Sequence, residues 1–114
     1  VRRYRVRIAA EVIHDLDLIE DHLVGAYQEF GDDLANAIER AAARIDEALL
    51  HLRTFEAHPY RGTEHKAIQP GIGSVTNKKF VFYFEIDDED AEVRALAIFF
   101  GGADHRRQIV DRLQ

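Results

Sequence analysis

Hydrophobic positions recur along the chain first with a period of two, then of three to four, then of two again. Over residues 3–8, Tyr4, Val6 and Ile8 alternate with Arg3, Arg5 and Arg7. Successive strand side chains point to opposite faces, so this pattern predicts a strand with one buried face. Over residues 9–30 the spacing becomes helical. Ala9, Val12, Ile13, Leu16, Ile19, Leu23, Tyr27 and Phe30 form one stripe, with Glu11, Asp15, Glu20, Asp21 and Glu29 mostly outside it. Gly31 supplies a stop, because glycine accepts the left-handed conformation that ends many helices. Asp32 or Asp33 then caps a second helix over residues 33–55, striped by Leu34, Ala37, Ile38, Ala41, Ile45, Ala48, Leu49, Leu52 and Phe55. The link is so short that the helices must fold back as an antiparallel hairpin. His58 precedes Pro59, which pushes it out of the helical region and ends the helix.

Residues 60–72 read as a loop, and 73–78 as a short polar strand. The stretch 78–100, KKFVFYFEIDDEDAEVRALAIFF, reads as two apolar strands joined by an acidic loop longer than a two-residue turn. Phe80, Phe82, Phe84 and Ile86 alternate with Val81, Tyr83 and Glu85. In the partner strand Val93, Ala95, Ala97 and Phe99 share one face, and Leu96, Ile98 and Phe100 the other. Such a hairpin needs cover on both sides, and two helices supply one layer. A short tail helix capped by Asp104, with Ile109, Val110 and Leu113, is expected to shield only part of the second face. Strands grouped after helices predict an α+β domain with a mainly antiparallel sheet, β-α-α-β-β-β and a short C-terminal helix.

The chain has 114 residues, which fits one domain over 1–114. No apolar run approaches the roughly 20 residues of a membrane span. No opening of the signal-peptide kind is present, and a cytoplasmic location is the expectation. There is no cysteine, which excludes disulfides and thiolate catalysis. The net charge of −6 is unevenly spread: residues 1–8 carry four arginines and no acid, 9–60 are strongly acidic, and 61–86 are basic again. An acidic body with local basic patches argues against broad nucleic-acid binding, and against sequence-specific DNA binding by this chain alone. It leaves room for a small anionic contact or a basic partner segment. The Arg3–Arg5–Arg7 row has two readings: a contact to nucleic acid or an acidic partner, or a solvated face that discourages edge-to-edge pairing.

Candidate chemistry is sparse. RNA cleavage through the 2′-hydroxyl needs a base, cations to stabilise the phosphorane, and an acid for the leaving oxygen. Arg61, His65, Lys66, Lys78, Lys79 and Tyr83 are the candidates, with His105, Arg106 and Arg107 behind them. His65-Lys66 and Lys78-Lys79 are expected to be able to meet across a sheet edge. The bland alternative is a set of solvated loop cations. The six histidines show no paired spacing on one helical face, so no metal site is expected. There is no phosphate-binding glycine loop, dinucleotide fingerprint or nucleophile elbow, and Ser74 is the sole serine. No cofactor is expected.

Several short motifs, in order, resemble the ParE/RelE family of bacterial type II toxins. YRVRIAAEVIHDLDLIEDHL resembles the family's opening strand and first helix. LRTFEAHPYRG resembles its "L…P-x-x-G" exit through Leu52, Pro59 and Gly62. PGIGSVTNKKFVFYFEID resembles its "PGLRS…R-x-x-I-x-Y-x-v" block, and AIFFGGAD its "v-x-H-g-x-x-D" end. Lys79 matches the basic position before the central strand, and Tyr83 or Phe84 the aromatic one. Gly73 stands where the family commonly has arginine, and Phe100 where histidine is common. The resemblance implies a toxin neutralised by a cognate antitoxin. The long helical hairpin and poor catalytic inventory favour the ParE-like branch, which poisons DNA gyrase by binding and is not an enzyme. The alternatives are a RelE-like ribosome-dependent messenger RNA endoribonuclease and an inactive antitoxin-binding relative. Arg61, Lys78, Lys79, Val81, Tyr83, Arg106 and Arg107 are the expected target- and antitoxin-binding residues, with the antitoxin laid across an open sheet face.

Overall fold

The computed structural model describes residues 2–102 and 105–114. The elements are β1 (Arg5–Ile8), α1 (Ala10–Glu29), α2 (Leu34–Arg53), β2 (Thr63–Glu64), β3 (Ile72–Asn77), β4 (Phe80–Asp87), β5 (Glu92–Phe100) and α3 (Arg106–Arg112), with a 3-10 turn over Thr54–Glu56. The sheet order is β1-β5-β4-β3-β2. β1 runs parallel to β5, and the other neighbours are antiparallel. The α+β architecture is the expected one. β2 is an addition, formed inside the stretch that reads as loop.

Local chemistry sets the helix ends. Gly31 takes φ +107°. The Asp32 N–H then donates to Tyr27 O at 3.0 Å and the Gly31 N–H to Gln28 O at 3.0 Å, closing α1. The Asp33 carboxylate accepts the Asn36 N–H at 2.8 Å and opens α2. Asp104, the expected cap of α3, lies outside the described residues.

The main core lies between the helical hairpin and the sheet. Val12, Leu16, Ile19 and Leu23 of α1, with Ala41, Ala48, Leu52 and Phe55, pack on Phe80, Phe82, Phe84, Val93, Ala95 and Ile98. Each buried phenylalanine contributes about 1.5–3 kcal/mol. Ile45 and Leu49 pack at the margin of this core. Ile13, Phe30, Leu34 and Ile38, expected in the buried stripes, are instead about half or more exposed. Ile13 is displaced to the flank by Val12. The other three sit where the hairpin runs past the sheet.

A β-bulge corrects the expected faces of β5. Tyr83 pairs with Ala97 but Phe84 pairs with Ala95, so Leu96 is the extra residue. One extra residue reverses the alternation beyond it. Val93, Ala95, Ile98 and Phe100 therefore face the hairpin, and Leu96, Ala97 and Phe99 face away.

The second face is covered, contrary to the expected open surface. Ile109 of α3 is fully buried with Ile72, Tyr83 and Ala97, and Ile68, Val81, Leu96, Phe99 and Leu113 pack around them. The bulge places the small Ala97 beneath α3, so a two-turn helix and the turn before β3 suffice. Among the described residues, the exposed large apolar side chains are Ile13, Leu18, Phe30, Leu34, Ile38, Leu50 and Tyr60, none from the sheet.

Candidate functional site

The polar groups that do converge lie beside β3 and β4 on the second face. The His65 N–H donates to Ile72 O at 2.8 Å, which fixes His65 at the end of β2. Its Nε2 lies 2.6 Å from Ser74 Oγ, and its ring lies 5.7 Å from that of Tyr83. Ser74 and Tyr83 are register partners across β3 and β4. Tyr83 is 7% exposed and meets Phe99 edge-on at 5.9 Å. Phe99 stacks on His105 at 4.8 Å, and His105 Nδ1 is 2.9 Å from Gln108 Oε1. An aromatic row thus crosses the face from β2 to α3. Sequence reading did not find the roles of Ser74 and His105. The Ser74–Tyr83 pairing rests on the strand register, which the sequence alone did not supply.

The expected cations are not gathered around this row. The Arg61 guanidinium lies over the Phe55 ring at 4.8 Å and donates to Thr54 Oγ1, so it is tied to the core side. It borders a cleft of about 300 Å³ with Tyr60, Glu64, Phe84 and Asp88. Lys78 and Lys79 form the β3–β4 turn, four and five residues beyond Ser74, or about 13–16 Å along an extended strand. They do not meet His65-Lys66 across an edge, because β2 pairs with the opposite end of β3. Lys66 is exposed, as are Arg106 and Arg107 at the start of α3. Val81 is half-buried and Tyr83 buried under the α3 layer. The arrangement offers an imidazole–hydroxyl pair able to move a proton, without an assembled cationic cradle for a phosphorane. Among the described residues no three His, Asp or Glu side chains form a metal-binding set.

Two polar clusters hold the frame, one around the buried Asp15 and one around the exposed Asp88. Asp15, 6% exposed, accepts the Ile98 N–H at 3.1 Å and pairs with Arg112 at 2.7 Å. Arg112 also donates to Leu96 O at 3.0 Å. The pair therefore satisfies the bulge where β1 has ended, and the Asp15 hydrogen bond raises the Arg112 pKa. Elsewhere, the Asp88 carboxylate accepts from Tyr4 Oη at 2.7 Å and from Tyr60 Oη. The Tyr60 and then the Tyr4 hydrogen bonds lower its pKa. Burial, and then the nearby Arg61 charge, lower the pKa of His51. The arginine row is solvated and partly self-paired: Arg3 reaches Glu56 at 3.1 Å, and Arg5 and Arg7 reach Glu92 at 3.7 and 3.8 Å.

A strand, a helical hairpin on one face of a mainly antiparallel sheet and a short terminal helix on the other define an α+β fold of a known class. No family model and no curated protein matches the chain. Solved structures do. A chain of the chromosomal ParDE toxin–antitoxin system from P. aeruginosa matches with a TM-score of 0.67 at 17% identity, covering 90% of this chain and 100% of that one. A chain of the RelBE2 toxin–antitoxin complex from Mycobacterium tuberculosis matches with a TM-score of 0.51 at 17% identity, covering 87% and 99%. The fold is the ParE/RelE fold.

Proposed function

We propose that the chain is the toxin component of a type II toxin–antitoxin system, neutralised by a cognate antitoxin and acting on its target by binding. The fold match supports the toxin reading, since it spans the whole of the ParDE chain. One observation favours binding over cleavage. Lys78 and Lys79 stand at the far end of β3 from His65, and Arg61 is held against Phe55 on the other face. A 2′-hydroxyl attack needs those charges around one phosphate. In the ParE-like reading the target is DNA gyrase, and Lys78, Lys79, Arg106 and Arg107 are the exposed members of the proposed contact set. The residual imidazole–hydroxyl pair of His65 and Ser74 keeps a RelE-like ribonuclease as the second reading.

The purified free chain, assayed side by side, separates them. Inhibition of gyrase supercoiling with messenger RNA left intact on translating ribosomes is the expected result. Ribosome-dependent cutting, lost in His65→Ala, would replace the first reading by the second. Inactivity in both assays together with antitoxin binding would mark a relative that has lost its toxicity.

A further inference from the structure

Between the helical hairpin and the β3–β4 turn opens a cleft of about 600 Å³, lined by His22, Leu23, Tyr27, Arg44, Lys79 and Phe100, among others. It carries a surplus of positive charge. Arg44, Lys78 and Lys79 share it with one carboxylate, that of Glu47, which pairs with Lys78 at 3.1 Å. Arg44 and Lys79 have no ion-pair partner among the described residues. In a chain of net charge −6, two uncompensated cations at one concave place select for an anion.

The cations are held in position. Arg44 is half-buried and lies over the Phe80 and Phe100 rings at 5.5 and 5.4 Å. It donates to Lys78 O at 2.7 Å and to Tyr27 Oη at 3.5 Å. These bonds use two of its N–H groups, and the rest of the guanidinium fork remains for a ligand's oxygens. Lys78 and Lys79 hold φ of +51° and +72°, in a two-residue turn that ordinarily takes Asn-Gly. Left-handed backbone at non-glycine residues is a strain that persists where the surroundings override it, commonly at ligand sites. The Arg44 bond to Lys78 O ties that turn to the cleft.

The rest of the lining narrows the anion. Leu23, Ala26, Tyr27 and Phe100 offer apolar and aromatic surface, which suits a flat base better than the hydroxyls of a sugar phosphate. A long nucleic acid fits poorly, because exposed acids border the cleft on both helices: Asp21 beside His22 on α1, and Asp46 and Glu47 just after Arg44 on α2. The volume lies within the roughly 300–1,000 Å³ of small-molecule sites. We propose that this cleft binds a nucleoside diphosphate. Its phosphates meet Arg44 and Lys79, and its base lies against Leu23, Ala26 and Phe100. The site stands apart from the toxin reading: a chain inert toward gyrase and ribosomes can still bind here.

ADP added to the intact free chain, followed by amide chemical shifts, tests it. ADP is expected to shift residues 22–27, 44, 78–79 and 100. Adenosine and inorganic pyrophosphate each lack one half of the ligand, and each should bind about tenfold more weakly or worse. Lys79→Gly removes the ammonium and suits the left-handed backbone, so it keeps the fold, and circular dichroism checks this. It should weaken ADP about tenfold and leave adenosine unchanged. No binding of ADP, equal binding of adenosine, pyrophosphate bound as tightly as ADP, or shifts confined elsewhere would overturn the proposal. So would tighter binding of a single-stranded oligonucleotide at the same residues, which would make the cleft a nucleic-acid surface.

Discussion

Gly73 shows how one residue separates this chain from the pattern it resembles. A Cβ added there would lie 2.9 Å from the Phe84 ring, its partner across β3 and β4. Gly73→Ala should therefore lower stability by about 1–3 kcal/mol through overpacking, read as a lower denaturant midpoint at unchanged slope. Gly73→Arg, which restores the common family residue, should cost more and bring no cleavage. Pairing Gly73→Ala with Phe84→Leu should recover most of the loss. The glycine was legible in the sequence as a departure. Its cause was not, because that requires the strand register. His51 gives a second test. Its folded pKa lies below 6.5, through burial and then the Arg61 charge. The unfolded chain therefore binds the extra proton as pH falls through 6.5, and stability contributed by neutral His51 is lost on the acid side. The melting temperature should decline from pH 7 toward pH 5, and less steeply in His51→Gln. The depressed carboxyls of Asp87, bonded first by the Asp90 backbone N–H, and of Asp88 add a separate loss only below about pH 3.8.

Among the elements, the helices were readable because their apolar spacing is long and regular, and their ends carry Gly31 and Asp33. The faces of β5 were not. Both of its faces are apolar, so alternation offered no phase signal, and the bulge at Leu96 passed unseen. Asp15 carried a signal that was passed over. It stands three residues after Val12 and four before Ile19, inside the buried stripe, and a carboxylate there requires a partner. The partners are the Ile98 N–H and Arg112. Asp15→Leu leaves the Ile98 N–H unpaired and takes the carboxylate from Arg112, which keeps only Leu96 O of the partners named above. It should destabilise by about 1–3 kcal/mol for the unsatisfied groups, and chemical denaturation measures it. The double change Asp15→Leu, Arg112→Leu should restore part of that loss by removing the orphaned charge. A simple sum of the two single effects would mean that the clasp contributes nothing as a pair.

At the scale of the whole molecule, two layers rather than one enclose the sheet, and this relocates the surface available to partners. Apolar alternation on both faces of β4 was a sound reason to expect cover on both sides. It could not say that α3 and the turn before β3 supply the second layer within the same chain. Among the described residues, the exposed large apolar side chains lie instead on or beside the helices, most of all at the hairpin tip, with Tyr60 in the loop before β2. A partner laid across Val81 and Tyr83 would first have to lift α3. Hydrogen exchange on the isolated chain distinguishes the two arrangements. Tyr83 and Ala97 are register partners on neighbouring strands and are buried together with Ile109. Buried under that cover, their amides should be among the slowest to exchange without any partner. Ile109→Asp, which puts a carboxylate into that buried position, should accelerate exchange over residues 96–99 and at Tyr83 while leaving α1 and α2 protected. Fast exchange at Tyr83 in the unmodified chain, slowed only when a partner is added, would mean that α3 is not a standing cover and that the second face is the docking surface after all.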